Sequence, residues 1–455
     1  MANNALSGHF TTRRLLYFAL PNLVMMVFLS LYTIVDGLFI SRYVGTLALS
    51  AVNMSYPITS LELAIGIMLG TGGSAIVAKT LGEGDPVTAR KNFTFIIVVS
   101  LVISVLFLIL GLVFLDPLLL QLGTSEAQFP YCRIYTQILL LFSPALFLQC
   151  LFQVLFVTAG EPRLGLYSTV GGGLCNMVLD WLFMGCWGMG VEGAAIATVI
   201  SYCVPAVMGL VYFGLWRKGT LYFVKFRPDW KMLAYACGNG SSELVSNLAN
   251  AITTLLFNLL FLAAWQEDGV AAITIVMYLQ FVFSAAYMGF SIGVAPVISY
   301  KYGAGSILQL KSILKDCLWF IALSSIGAYL LSMVLIRPAL SFFTNPDSRV
   351  FQLAMDGFPT YAICFLFMGL SIFASAMFTA LSNGIVSAVI SFGRTFVFLV
   401  LGLLLLPEWR GPVGLWISVP FAEFLGLLVS VACLLWGRKR YILRPLSRGE
   451  TGETS

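Results

Sequence analysis

The sequence predicts an all-α integral membrane protein whose twelve transmembrane helices form two six-helix bundles related by a parallel internal repeat. Three observations carry that prediction. Hydrophobic residues make up 59% of the 455-residue chain and charged residues only 10%, against roughly 25% charged in a soluble domain. Apolar runs long enough to cross a bilayer recur twelve times, separated by breaks rich in Gly, Pro and charge. Landmarks of the first half return 221 residues later in the second.

Taken in order, the runs are 14–41, 48–79, 90–115, 131–159, 164–184, 192–215, 236–265, 270–301, 312–337, 352–381, 385–407 and 411–436. Their breaks include Gly82-Glu83-Gly84-Asp85-Pro86, Asp116-Pro117, Gly160-Glu161-Pro162, Asn345-Pro346 and Gly411-Pro412. At the 221-residue offset Gly72 falls on Gly293, Gly82 on Gly303, Pro117 on Pro338, Thr158-Ala159 on Thr379-Ala380 and Gly193 on Gly414. Six helices per half is an even number, so both halves enter from the same side and repeat about an axis along the membrane normal. The expected organisation is therefore a first lobe at 1–215, a hydrophilic linker at 216–235, a second lobe at 236–436 and a basic tail at 437–455.

Charge placement gives an orientation. With the amino terminus inside, nineteen of the 25 Lys and Arg residues fall on the inner side and five on the outer, while Arg394 lies within the eleventh helix. Both termini are thus expected in the cytoplasm of a multi-pass cell-membrane protein, and the basic tail needs only the membrane surface as partner, with no nucleic acid. Enzyme chemistry finds no support. The nine cysteines stand singly, His9 is the only histidine, and no Walker, GxSxG or HExxH pattern occurs, so no cofactor and no structural metal are expected.

Ionisable residues inside apolar helices are expensive and mark function. Asp36 lies in the far half of the first helix, which also carries Tyr32 and, near its start, Pro21; Asn22, Thr33 and Asp36 fall on one face. On the fifth helix Asn176 and Asp180 share a face at i and i+4. Counted from the helix ends, Asp36 and Asp180 lie at one depth, so a single site can hold both, sharing a proton or a cation. Thr198 on the sixth helix and Gln153 on the fourth offer neutral oxygens nearby. Glu243, Asn247 and Asn250 line one face of the seventh helix toward its inner end, and Glu62 sits at mid-depth on the second; these are candidates for a substrate cavity or gate. Asp356 reads as a solvated helix terminus, and Arg394 as a side chain that snorkels to the inner surface.

Several of these segments occur together in a known family. Val35-Asp36-Gly37-Leu38-Phe39-Ile40-Ser41-Arg42, Gly70-Thr71-Gly72-Gly73-Ser74, Leu81-Gly82-Glu83-Gly84-Asp85, Asn176-Met177-Val178-Leu179-Asp180 and Gly190-Val191-Glu192-Gly193-Ala194-Ala195-Ile196-Ala197-Thr198 resemble the multidrug and toxic compound extrusion (MATE) family, in its bacterial branch. The resemblance implies a V-shaped pair of bundles working as a monomer that exports small amphipathic organic cations in exchange for H⁺ or Na⁺. It further implies an ion or proton site in the first lobe, onto which Tyr32, Asp36, Asn176, Asp180 and Thr198 match, with a possible Na⁺ at Asp36, Asn176 and Asp180. Pro21 matches a proline at which the first helix bends, whereas Gln153 stands where an asparagine is frequent. An alternative within the same architecture is a flippase for lipid-linked saccharides, which calls for basic residues in the cavity; here the intramembrane charges are mainly acidic.

Overall fold

The computed structural model describes residues 6–215 and 219–437, nearly all helical and without a strand among the described residues. The basic tail beyond Gly437, and Arg217 and Lys218 of the linker, lie outside the described residues. In the first lobe α1 spans Thr12–Tyr43, α2 Thr46–Gly82 and α3 Pro86–Val113, followed by a short helix at Leu115–Gln121. Asp85 caps α3, accepting from Thr88 N at 2.9 Å, and the hydrogen bonds from Thr88 hold its carboxyl below the usual carboxylate range. The fourth span, α4, consists of Phe129–Leu141 and Ser143–Thr158, bent by 59°. Next comes α5, Pro162–Asp180, which continues through a π turn at Trp181–Cys186, and then α6 at Gly190–Leu215.

The second lobe opens earlier than its apolar run predicts. Helix starts at Trp230, not 236, because Asp229 caps it by accepting from Met232 N at 3.0 Å, which shortens the linker to 216–229. A continuous stretch, Trp230–Gly303, is broken by one residue, Gln266, at φ 57° and ψ −147°. This divides α7 (230–265) from α8 (267–303). They are followed by α9, Ile307–Phe343; α10, Arg349–Ala362 with Phe365–Ala380; α11, Gly384–Phe392 through a π turn Gly393–Val397 to Phe398–Arg410; and α12, Val413–Gly437. By length and composition eight helices cross a membrane, or ten if each bent pair is one span. The break at Gln266 and the shorter α5 bring the architecture to twelve. Both bent spans break at the same place in the repeat, after Leu141 in α4 and after Ala362 in α10, the latter by 54°.

Each lobe has its own core. Phe93, Phe147, Phe152, Phe156 and Phe213 fill the first, and Phe257, Phe358, Tyr361, Phe365 and Trp416 the second. One element belongs to both. Leu6, Phe10, Leu15 and Ala19 are buried in a cluster of second-lobe residues that includes Phe290, Val294, Val297 and Ile298, whereas Ile40, at the other end of α1, is buried with Ala48, Met184 and Val191 of the first lobe. Pro21 lies between these two anchorages. The near end is tied further by Lys301 Nζ, which donates to the carbonyls of Ser7 at 3.1 Å and Gly8 at 2.9 Å, and by Thr12 Oγ1, which donates to Asp316 at 2.9 Å.

The lobes meet along a seam of glycines toward the face where α1 begins. Added Cβ atoms would stand 2.1 Å from the Tyr300 carbonyl at Gly82, 2.1 Å from that of Lys79 at Gly303, and 2.0 Å from that of Met68 at Gly240. Gly289 and Gly293 bear in the same way on Asn22 and Ala19, either side of Pro21. Backbones this close leave room only for hydrogen, the device by which membrane helices pack tightly. Gly72 and Gly240 lie ten residues in from the ends of their helices, so the seam reaches about 15 Å into the bundle, roughly its mid-depth. Asn22, at the seam, is buried with neither amide atom hydrogen-bonded, a cost of about 1–3 kcal/mol that opposes this arrangement of the lobes.

Gly303→Ala is therefore expected to part the lobes at this face. Nitroxide labels on Lys91→Cys and Lys315→Cys in an otherwise cysteine-free chain should shift to longer distances, and an unchanged distribution would refute the seam. Asn22→Leu should act in the opposite sense, raising the thermal midpoint by removing the unpaired amide.

Candidate functional site

The polar site of the first lobe is assembled from α1, α4, α5 and α6 around two carboxylates. The Asp36 and Asp180 carboxyls lie close enough to interact directly, an arrangement two buried carboxyls tolerate only with a proton or cation shared between them. Asp180 is fully buried and Asp36 half-buried. Each keeps one buried oxygen, Oδ1, without a hydrogen-bond partner. Asn176 is 1% exposed. With its amide nitrogen turned toward the carboxylate it donates to Asp180 Oδ2 at 3.3 Å, and its oxygen accepts from Thr198 N at 3.3 Å. Thr198 Oγ1 donates to the Ala194 carbonyl at 2.9 Å.

Tyr32, one turn before Asp36, lies within electrostatic reach of both carboxylates. Two further tyrosines complete the wall. The hydroxyl of Tyr135 on α4 lies near Thr198, and Tyr202 on α6 lies within electrostatic reach of Tyr32, Tyr135, Asp36 and Glu62. The sequence analysis misses both. Tyr202 had a signal, since it follows Thr198 by one helical turn on the same face; Tyr135 had none.

Glu62 is 1% exposed and lies near the hydroxyl of Ser143, so it meets α4 where that span is broken. One of its oxygens, Oε1, has no partner. It belongs to the same lobe as the aspartates, and Tyr202 lies within electrostatic reach of both Glu62 and Asp36. Gln153 does not join them: its amide donates to Thr169 at 3.5 Å, between α4 and α5.

In the second lobe the expected constellation divides. Glu243 lines a pocket between the lobes with Thr71, Ser74, Ser299 and Thr379. Asn247 turns its amide to the Glu243 backbone carbonyl at 2.8 Å, and Asn250 is exposed, so neither converges on the Glu243 carboxylate. Asp356 is exposed near the start of α10, as its position predicts. Arg394 is a correction. Its guanidinium does not snorkel but donates to Glu423 Oε1 of α12 at 2.8 Å, with both side chains largely buried. Gly426, one turn past Glu423, gives it room, lying against the Arg394 Cβ and Cγ. Glu423 is absent from the sequence candidates because its partner is on another helix and no spacing rule connects them.

The repeat makes the difference between lobes explicit. At the 221-residue offset Asp36 corresponds to Phe257 and Thr198 to Val419, both buried in the apolar core of the second lobe. Among the described residues no three His, Cys, Asp or Glu side chains converge as for a structural metal.

Two six-helix lobes, joined by a seam at one face and carrying ionisable groups at membrane depth, define a polytopic membrane transporter. The MatE family pattern matches residues 21–182 and again 244–404, the second copy beginning and ending within two residues of the 221-residue offset. The chain belongs to the MatE family. It is 25% identical over 433 residues to a FAD transporter of Shewanella oneidensis, covering 92% of this chain and 93% of that protein. To the multidrug export protein MepA of Staphylococcus haemolyticus it is 24% identical over 372 residues, 79% of this chain and 80% of that one. A solved outward-facing MATE multidrug resistance transporter of the MOP superfamily superposes with a TM-score of 0.89 at 21% identity, over 97% of this chain and 98% of that chain.

Asn176→Leu should leave Asp180 Oδ2 without its donor and cost about 1–3 kcal/mol, read as a lower apparent unfolding midpoint. An unchanged midpoint would mean that Asp180 is held by other groups.

Proposed function

We propose that the protein is a secondary antiporter of the cell membrane that exports amphipathic organic cations in exchange for H⁺ or Na⁺, with both termini in the cytoplasm and one chain as the working unit. The juxtaposition of the Asp36 and Asp180 carboxyls inside the first lobe is the observation that carries this reading. A pair that needs one small cation to exist is a coupling site, and Tyr32, Asn176 and Thr198 orient it. Arrival of the ion on Asp36 draws the far half of α1 toward Asp180 on α5. The near half is packed into the second lobe, so the displacement is taken up at Pro21, where the missing N–H leaves the Tyr17 carbonyl without its helical partner and makes the helix compliant. Because the ion binds the two arrangements of the lobes unequally, it shifts their populations and rocks the cavity from one face to the other. Family membership and the MepA relatives support export of drugs. Glu243 on the wall of the inter-lobe pocket supports a cationic cargo entering from the cytoplasmic side.

A second cargo class is favoured by one observation, the likeness to the Shewanella oneidensis FAD transporter: a large anionic dinucleotide. Such a cargo, like a lipid-linked saccharide phosphate, needs an unpaired cation in the cavity. Arg394 is already neutralised by Glu423, which weighs toward cations.

Reconstituted in liposomes, the protein should expel a cationic dye under an imposed pH gradient or an imposed Na⁺ gradient, and whichever drives efflux names the coupling ion. Asp36→Asn and Asp180→Asn should each abolish gradient-driven efflux; full transport by both variants would sink the coupling site. Efflux of FAD in place of the dye would select the second cargo class.

A further inference from the structure

Glu62 is a buried carboxyl of the first lobe that the Asp36–Asp180 pair leaves unused. It stands midway along α2, 1% exposed, and its Oε1 has no hydrogen-bond partner. The ion pairs of Lys and Arg among the described residues all lie elsewhere. The titratable groups within its electrostatic reach are Cys150 of α4 and Tyr202 of α6, neither of which carries a positive charge in any form. An ionised carboxylate at mid-membrane without a cation is costly, so these surroundings select the neutral acid.

Packing fixes what the acid faces. Positions 62, 66, 70 and 74 form one row of α2. An added Cβ at Gly66 would stand 3.2 Å from the Cys150 sulfur and 3.9 Å from the Phe147 Cα, and one at Gly70 would stand 3.1 Å from the Cys150 carbonyl oxygen. Ser74 and Thr158 share a hydrogen bond of 2.7 Å, so the row and the second half of α4 run parallel in a fixed register. Carried back one turn to Glu62, that register meets α4 at Ser143, whose hydroxyl lies near the carboxyl. The repeat makes the same pairing in the second lobe: Phe283, the counterpart of Glu62, packs on Phe365, the counterpart of Pro144, with ring centroids 4.8 Å apart at the break of α10.

The break itself decides which partner can donate. Pro144 has no N–H to offer the Leu140 carbonyl, and the Ser143 hydroxyl takes that place, donating to it at 2.8 Å. Its single hydrogen is thereby committed, and toward Glu62 it presents lone pairs alone. A carboxylate would meet them with more lone pairs; a carboxylic acid has the missing hydrogen.

We propose that Glu62 is a positioning residue: as a neutral carboxylic acid it donates to Ser143 Oγ, completing a relay from Glu62 through Ser143 to the Leu140 carbonyl that holds the two halves of α4 at their 59° bend. The first half carries Tyr135, so the relay keeps that hydroxyl near Thr198 in the polar site. Unlike the aspartate pair, Glu62 retains its proton throughout. This assignment stands apart from the coupling role of Asp36 and Asp180.

Infrared spectroscopy of the purified, lipid-reconstituted protein reads the acid without any transport, in an Asp36→Asn/Asp180→Asn background. Glu62→Gln should remove one carboxylic-acid carbonyl band present at neutral pH, and Ser143→Ala should keep that band but move it to higher wavenumber, because the acid loses its acceptor. A spectrum unchanged by Glu62→Gln, or a band unmoved by Ser143→Ala, overturns the proposal. Should the background fail to fold, the same two changes in the otherwise unmodified chain must give the same loss and shift, or the relay is refuted. Dye efflux then separates positioning from coupling. The amide of Glu62→Gln still donates to Ser143, whereas Glu62→Met has similar bulk and no donor, so Glu62→Gln should transport about tenfold faster than Glu62→Met, the worth of one hydrogen bond. Equal rates would refute the bond, and Glu62→Gln as inactive as Asp36→Asn would make Glu62 a coupling carboxylate. A protein that moves no dye at all would defeat the antiport reading and leave the infrared result to decide Glu62.

Discussion

Two carboxyl groups cannot lie side by side in a water-poor interior without a third party, and much of the first lobe is arranged to maintain that situation. Asp180 is buried, Asn176 and Thr198 fix it from α5 and α6, and Asp36 is brought to it on a helix whose other end is anchored elsewhere. The burial of Leu6, Phe10, Leu15 and Ala19 among second-lobe residues means that α1 is a strut between the halves. Electrostatics at one end of such a strut and packing at the other are coupled by the stiffness of a helix, relieved only at Pro21.

The two lobes share a frame and differ in where they spend polarity. Positions that carry Asp36 and Thr198 in the first are Phe257 and Val419 in the second, while the second places an arginine and a glutamate where the first has Gly173 and Tyr202. The second lobe thus fills the volume equivalent to the Asp36–Thr198 site with apolar side chains. Duplication supplied the geometry; the chemistry diverged.

Much of this was legible in the sequence because lipid imposes strict rules. Length and hydropathy delimit spans, a carboxylate in an apolar run is conspicuous, and equal depth follows from counting residues, which is how Asp36, Asn176, Asp180 and Thr198 were brought to one place. Contacts across helices were not legible. Tyr135 and Glu423 reach their partners from other spans, and the side-chain direction of Arg394 is decided by a π turn and by the space at Gly426, neither of which hydropathy registers. The break at Gln266 was expected as a four-residue turn; it is a single residue because a positive φ there reverses the chain without a loop.

The seam at Gly82, Gly240 and Gly303 is backbone against backbone. A joint of this kind presents no anchor side chain for a blocking molecule to mimic, so small inhibitors have no purchase on the glycine contacts themselves while they are shut.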